Sequence, residues 1–193
     1  ADEAACPVAV QGCRVVAVSD VSGSIYRESG LNIPEIQEFL GAAPNRLLRD
    51  YTAEGITRLT NEELLTLNVD VLVPAALENQ ITAAVAEKLR ARVIVEGANG
   101  PTTADADEIL EKKGVCVVPD ILANAGGVVV SYFEWVQNIQ SLTWDEDEIG
   151  RMLERIMARA FNEVWEASRQ YNTTLRMGAN IVALNRIVSA KKI

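Results

Sequence analysis

Between residues 69 and 142 short apolar runs alternate with longer amphipathic ones, and this alternation restricts the fold more than any other feature of the chain. Val69-Asp70-Val71-Leu72-Val73 is halted by Pro74, Val93-Ile94-Val95 ends in Glu96, and Val115-Cys116-Val117-Val118 is halted by Pro119. Short β-branched runs closed by breakers read as buried strands. Between them, 78–91 carries Ile81, Ala84, Val85 and Leu89 on one stripe, and 104–113 stops at Gly114, a residue suited to the left-handed turn after a helix. Both read as helices, as does Val128 to Leu142. Strand–helix–strand order at this spacing specifies a parallel α/β sheet.

Sheets of that kind bind ligands beyond the carboxyl ends of their strands. Ala75-Ala76 follow the first of these strands and leave room for a ligand against backbone; they serve equally as a helix lead-in. Gly97-Ala98-Asn99-Gly100-Pro101-Thr102-Thr103 follows the second, with two glycines, an amide and two hydroxyls. It suits a polar ligand edge or a helix start at Thr103. Pro119 to Ser131 follows the third. There Asn124 offers an amide at the turn, Gly126-Gly127 permits close backbone approach, and Ser131 sets a hydroxyl about one helical turn further on. The competing reading is a plain strand-to-helix connection whose glycines serve packing.

The N-terminal part is less regular. Val8-Ala9-Val10-Gln11-Gly12 and Cys13-Arg14-Val15-Val16-Ala17-Val18-Ser19-Asp20 read as two strands with almost nothing between them. A dinucleotide-binding βαβ unit has a glycine-rich turn, a helix and an acid about 20 residues on. A parallel crossover takes a dozen or more residues, so these strands suit a tight hairpin at Gly12-Cys13 instead. Asp20 is either an acceptor for ribose hydroxyls or a solvated turn residue beside Ser22-Gly23-Ser24. Residues 25–68 read as a peripheral cover for the sheet edge, with a short helix opening at Asn32-Ile33-Pro34-Glu35 and a capping box at Thr60-Asn61-Glu62-Glu63. In the last third, Asp145 caps a long helix whose apolar stripe runs from Ile149 to Trp165, and a final helix spans about Leu175 to Ala190.

Composition excludes several classes. With a net charge of −9, the chain is a poor partner for nucleic acid. No apolar run is long enough to span a bilayer. There is no histidine, and three scattered cysteines offer no thiolate cage, so a Cys/His metal site is not expected. The short acidic start has no secretory character, and the cysteine usage fits the reducing cytoplasm.

Arg14–Tyr26 (RVVAVSDVSGSIY), Asp70–Ile81 (DVLVPAALENQI), Val95–Thr103 (VEGANGPTT), Pro119–Asn138 (PDILANAGGVVVSYFEWVQN) and Met177–Arg186 (MGANIVALNR) together resemble the C-terminal cofactor domain of the glutamate dehydrogenases. The GANGPTT and ANAGGV runs favour that branch over leucine or phenylalanine dehydrogenases. The resemblance implies a Rossmann-like parallel sheet with helices on both faces, incomplete at its N-terminal βαβ unit, plus a helical C-terminal segment. It implies one cofactor domain over 1–193, with the sheet part in 1–144 and helices in 145–193. The implied cofactor is NAD or NADP. Asp20 leans to NAD, whereas Ser19, Ser22 and Ser24 could accept a phosphate. By the same resemblance Asp20 and Ser22 sit at the adenosine ribose, Ala75 and Ala76 line the cofactor path, Asn99 meets the nicotinamide ribose, Asn124 meets the nicotinamide end, and Ser131 binds the distal carboxylate of glutamate or 2-oxoglutarate.

Two departures qualify it. VAVQG runs directly into CRVVAVSD, so the turn and helix that would cradle the pyrophosphate are missing. The family's substrate domain, with its catalytic lysine and aspartate, has no counterpart among these residues, and Lys88, Lys112, Lys113, Lys191 and Lys192 fall on helix ends and a tail. No catalytic residue is therefore expected in this chain. Either a cofactor domain that is inactive alone or a rearranged scaffold without cofactor binding fits these facts. The family forms hexamers largely through the domain not found here, so a homo-oligomer is a possible but not inherited state.

Overall fold

The computed structural model describes residues 12–191. Strands β1 (Ala17–Asp20) and β2 (Gly23–Tyr26), helix α1 (Ile33–Gly41), a 3-10 turn (Leu48–Asp50), β3 (Thr57–Leu59) and α2 (Asn61–Leu65) form the first part. Then come β4 (Val71–Leu72), α3 (Ala83–Lys88), β5 (Val93–Val95), α4 (Ala104–Lys112), β6 (Cys116–Val118), α5 (Asp120–Ala123) and α6 (Gly126–Gln140). The chain ends in α7 (Glu146–Gln170) and α8 (Leu175–Ala190).

The alternation after residue 69 produces the expected parallel sheet, in the order β4-β5-β6. Val71 and Leu72 pair with Val93 and Ile94, and Val93 to Val95 pair with Cys116 to Val118. Alternate residues feed opposite faces, as the pleat requires. Ile94 and Val117 join Leu72, Ala86, Leu89, Ala106 and Leu110 in one core, under α3 and α4. Cys116 and Val118 pack the other way, against Leu122, Val164, Leu175 and Ala179 of α5, α7 and α8. Helices therefore cover both faces of β6. Among the described residues no helix is long and apolar enough to cross a membrane.

The N-terminal part departs from expectation. Only Ala17–Asp20 of the expected strand 13–20 is in a sheet, and its neighbour is β2, antiparallel, in a separate sheet ordered β1-β2-β3. The proposed hairpin at Gly12-Cys13 involves residues 8–11 and lies outside the described residues. Residues 25–68 are not a mere cover. Ile25, Ile33, Ile36, Leu48 and Tyr51 are all buried with Val18 in a core of their own. Its 3-10 turn is held by polar bonds: the Arg58 guanidinium donates to the carbonyls of Leu48, Arg49 and Tyr51, and the Tyr51 hydroxyl donates to Glu35. These strands are three or four residues long, below what periodicity can register. Leu65 of α2 belongs to the parallel-sheet core and so ties the two parts together.

The expected helix 78–91 shrinks to α3. Asn79 takes a left-handed φ of 54°, and Ile81 forms an isolated parallel bridge to Thr102 instead. Backbone bonds from Asn79 to Gly100, Ile81 to Pro101 and Thr103 to Ile81 fasten this segment to the loop after β5. Ile81 is buried as its stripe predicts, but from extended backbone. The caps read from sequence are present: Asn32 accepts from the Glu35 amide, Thr60 and Glu63 form a reciprocal box, and Asp145 accepts from the Glu148 amide.

Gly178 sets the contact between α7 and α8. A Cβ there would lie 2.9 Å from the Val164 carbonyl oxygen and 3.1 Å from the Ser168 nitrogen. Alanine would gain roughly 1 kcal/mol of helix propensity but would press on backbone, which cannot rotate away, at about 1–3 kcal/mol. The substitution Gly178→Ala is therefore expected to be net destabilising, seen as a lower urea midpoint at unchanged slope; an unchanged or higher midpoint contradicts this packing.

Candidate functional site

The carboxyl ends of β4, β5 and β6 meet at one edge because backbone bonds join their exit segments. The Pro74 carbonyl accepts from the amides of Gly97 (3.0 Å) and Ala98 (2.9 Å), which fixes the first exit against the second. A Cβ on Gly97 would stand 3.0 Å from the Ala75 Cβ, so position 97 favours glycine. The Asn124 side-chain amide donates to Asn99 Oδ1 at 2.6 Å and to the Gly97 carbonyl at 3.4 Å, joining the second exit to the third. Ala75, Asn99 and Asn124 thus share one rim, as the strand order predicts. Ala76, Asn99 and Gly100 are exposed there, while Ala75 and Asn124 are half-buried. The pair leaves the Asn99 amide group as a donor and the Asn124 carbonyl oxygen as an acceptor on the rim.

Beneath the rim lies a charge cluster that sequence reading missed. Glu96, the residue after β5, is fully buried. Its carboxylate accepts two bonds from the Arg176 guanidinium, at 2.7 and 3.0 Å, and one from the Asp120 backbone amide at 2.9 Å. Arg176, in the first turn of α8, also donates to Asp107 at 2.7 Å and to Asp120 at 3.4 Å. Asp120 accepts in turn from the Gly100 amide at 2.8 Å. Burial alone would favour loss of the Arg176 proton, but the hydrogen bonds and charges of Glu96 and Asp107 outweigh it and raise the pKa above its ordinary value. One signal was available: a glutamate ending an apolar strand must be buried, and a buried carboxylate needs a cation. Its partner lies 80 residues away and no local pattern points to it.

Asp20 and Ser22 occupy a different place from the rim. They form the turn of the antiparallel β1–β2 hairpin, not the end of a parallel strand. Asp20 Oδ1 accepts from the Ser22 amide (2.7 Å) and hydroxyl (2.5 Å), and Oδ2 accepts from the Leu48 amide (2.7 Å). Burial would raise this carboxyl's pKa; the bonds from Leu48 and Ser22 prevail and lower it. The Ser22 hydroxyl also accepts from the Arg49 amide. No hydrogen bond joins either residue to the rim. Ser131 is exposed on α6, also without a hydrogen bond to the rim. Lys113 donates to the carbonyls of Ala86, Glu87 and Leu89, where it terminates α3.

Two tests follow from this geometry. A Gly97→Ala variant is expected to lose about 1–3 kcal/mol of stability by overpacking, and the added Ala75→Gly change is expected to recover part of it; strict additivity of the two in urea unfolding contradicts the contact. For Asp20 the folded pKa lies below the unfolded value near 4. The stabilisation by its carboxylate is thus full above that value and is lost as pH falls through the folded pKa. The urea midpoint of the wild type is expected to exceed that of Asp20→Asn at pH 7, with the gap closing below about pH 4; a gap that is constant with pH contradicts the assignment.

Comparison with known proteins agrees with this architecture. The family described as glutamate/leucine/phenylalanine/valine dehydrogenase matches residues 1–193. A glutamate dehydrogenase of Thermotoga maritima is 50% identical over 181 residues, which cover 94% of this chain and 42% of that protein. An NADP-specific glutamate dehydrogenase of Halobacterium salinarum is 49% identical over 185 residues, 95% of this chain and 43% of that one. The crystal structure of the hetero-hexameric glutamate dehydrogenase of Thermus thermophilus superposes with a TM-score of 0.86 at 33% identity, over 98% of this chain and 44% of that one. The chain spans less than half the length of these relatives. With its whole length matched, its α/β fold shared and its rim assembled, this chain belongs to the glutamate/leucine/phenylalanine/valine dehydrogenase family.

Proposed function

We propose that residues 1–193 make up a single nicotinamide-dinucleotide-binding domain of a glutamate dehydrogenase-type oxidoreductase, acting in the cytoplasm. The observation that carries this reading is the Asn124–Asn99 pair above Gly97 and Ala75. That bond leaves one amide nitrogen and one carbonyl oxygen of the pair unused, the complement of a carboxamide, and Gly97 and Ala75 bring no large side chain of their own. Asn124 would hold the nicotinamide end, Asn99 its ribose, and Ala75 and Ala76 the path along the backbone. Ser131 would bind the distal carboxylate of the amino acid. Asp20 and Ser22 would face the adenosine ribose. The Asp20 carboxylate, held ionised by its bonds, would repel a 2′-phosphate and so prefer NAD to NADP.

A bound nicotinamide would supply hydride-acceptor chemistry toward the α-carbon of glutamate, with water supplying the carbonyl oxygen as the nitrogen is released as ammonia and the product as 2-oxoglutarate. This chain's residues would orient the ring and exclude a bulky side chain from beneath it. The proton-transferring lysine and aspartate would come from a substrate domain. The chain alone is therefore proposed to be inactive.

One observation favours a second reading, a rearranged scaffold without cofactor binding. Among the described residues β4 has a partner on one side only, and no glycine-rich turn stands beside it. Loss of the pyrophosphate cradle removes several charge-assisted hydrogen bonds worth roughly 1.5–3 kcal/mol each. Fluorescence titration with NADH and NADPH separates the two. Saturable binding at micromolar levels, tighter for NADH, supports the cofactor domain; no binding at millimolar levels supports the scaffold. Glutamate-dependent NADH formation by the purified chain would overturn the proposed inactivity.

A further inference from the structure

Resting on the cofactor reading above, we infer that Arg176 is a positioning residue for the nicotinamide end: its guanidinium fixes the two exit segments that carry Asn99 and Asn124. The rim amides do not hold themselves in place. Asn99 sits on a short loop whose two ends are tied: Glu96 on one side binds Arg176, and Gly100 on the other donates to Asp120. Asn124 ends α5, and the first residue of that helix, Asp120, gives its amide to Glu96 and its carboxylate to Arg176 and Gly100. Asp107, on α4, takes the remaining edge of the guanidinium. One planar fork therefore spans the exits of β5 and β6 and the helix between them. A lysine, with a single ammonium, cannot make these parallel bonds. Arg176 comes from α8, far along the chain from the rim residues, and that helix packs beneath the segment that carries Asn124.

The test uses the full chain labelled with 15N-asparagine and the double variant Arg176→Met with Glu96→Gln, which removes the guanidinium together with its fully buried partner and leaves only Asp107 and Asp120, both in part open to water, without their cation. The side-chain amide signals of Asn99 and Asn124 are read without ligand. The signal of Asn32, whose amide donates to Glu35 at the start of α1 in the antiparallel part, is the internal control. The expected result is a cooperative melt, displaced Asn99 and Asn124 signals, an unmoved Asn32 signal and about tenfold weaker NADH binding, the scale of one lost hydrogen bond. Arg176→Lys, which keeps the charge, is expected to displace the same two signals and to give no rescue; it carries the test if the double variant does not fold. Rim signals that stay in place, or that move together with Asn32, overturn the inference alone. Failure of the wild type to bind NADH overturns the cofactor reading and, with it, the role assigned to Arg176 in binding.

Discussion

A buried carboxylate with a guanidinium against it organises the parallel half of this molecule. Glu96 has no access to solvent, and its charge is tolerable only because Arg176 and the Asp120 amide surround it. Such a pair contributes little net stability over an apolar replacement, yet removing one partner leaves an uncompensated charge and costs about 3–5 kcal/mol. Its value lies in specificity of arrangement. It demands that the end of β5, the start of α5, the body of α4 and the first turn of α8 meet at one point. Three carboxylates converge on one guanidinium, so the cluster is geometrically over-determined in a way that apolar packing is not.

The rim inherits its shape from that convergence and from small residues. Pro74 cannot continue a ladder, but its carbonyl collects two amides from the next exit segment. Gly97 lies so near Ala75 that a Cβ on it would stand 3.0 Å from the Ala75 Cβ. What remains exposed there includes Ala76, Asn99 and Gly100, with Leu77 beside them. Depressions of about 510 and 400 Å³ lie elsewhere on the surface, with Arg14 and Arg27 lining one and Glu163 and Arg186 lining the other. On α6, beyond the rim, Tyr132, Trp135 and Ile139 are more than half exposed. Relatives of more than twice this length have further chain that this sequence does not include.

The antiparallel part obeys a different logic. There Asp20 serves as a hub for backbone and hydroxyl donors, knotting the β1–β2 turn to the 3-10 turn at Leu48. The sequence left two readings of this residue open, a ribose acceptor and a turn residue. Its bonds to Ser22 and Leu48 give it a structural part in the turn and leave the ribose reading untouched. The hairpin escaped periodicity because each strand is four residues long and its partner lies beyond a two-residue turn already read as loop. Likewise the stripe containing Ile81 correctly marked a buried residue, but not its backbone, because the bridge to Thr102 outcompetes a first helical turn.

Local chemistry alone settled the elements whose causes are local. Pro119 stopping β6, Gly114 in a left-handed turn after α4, and the caps at Thr60 and Asp145 all follow from neighbours within a few positions, and the alternation over 69–142 implied the parallel sheet. The grouping of Ala75, Asn99 and Asn124 on one edge followed as well, since parallel strands must end on the same side. Contact between distant segments decided the rest: that Glu96 is ionically paired, that Arg176 is its partner, that Asp20 faces Leu48, and that residues 25–68 carry a core of their own. Hydrophobic period and cap chemistry act over one or two turns of chain. A buried charge or a sheet pairing is satisfied by whatever the folded chain brings near, and separation along the sequence does not limit it.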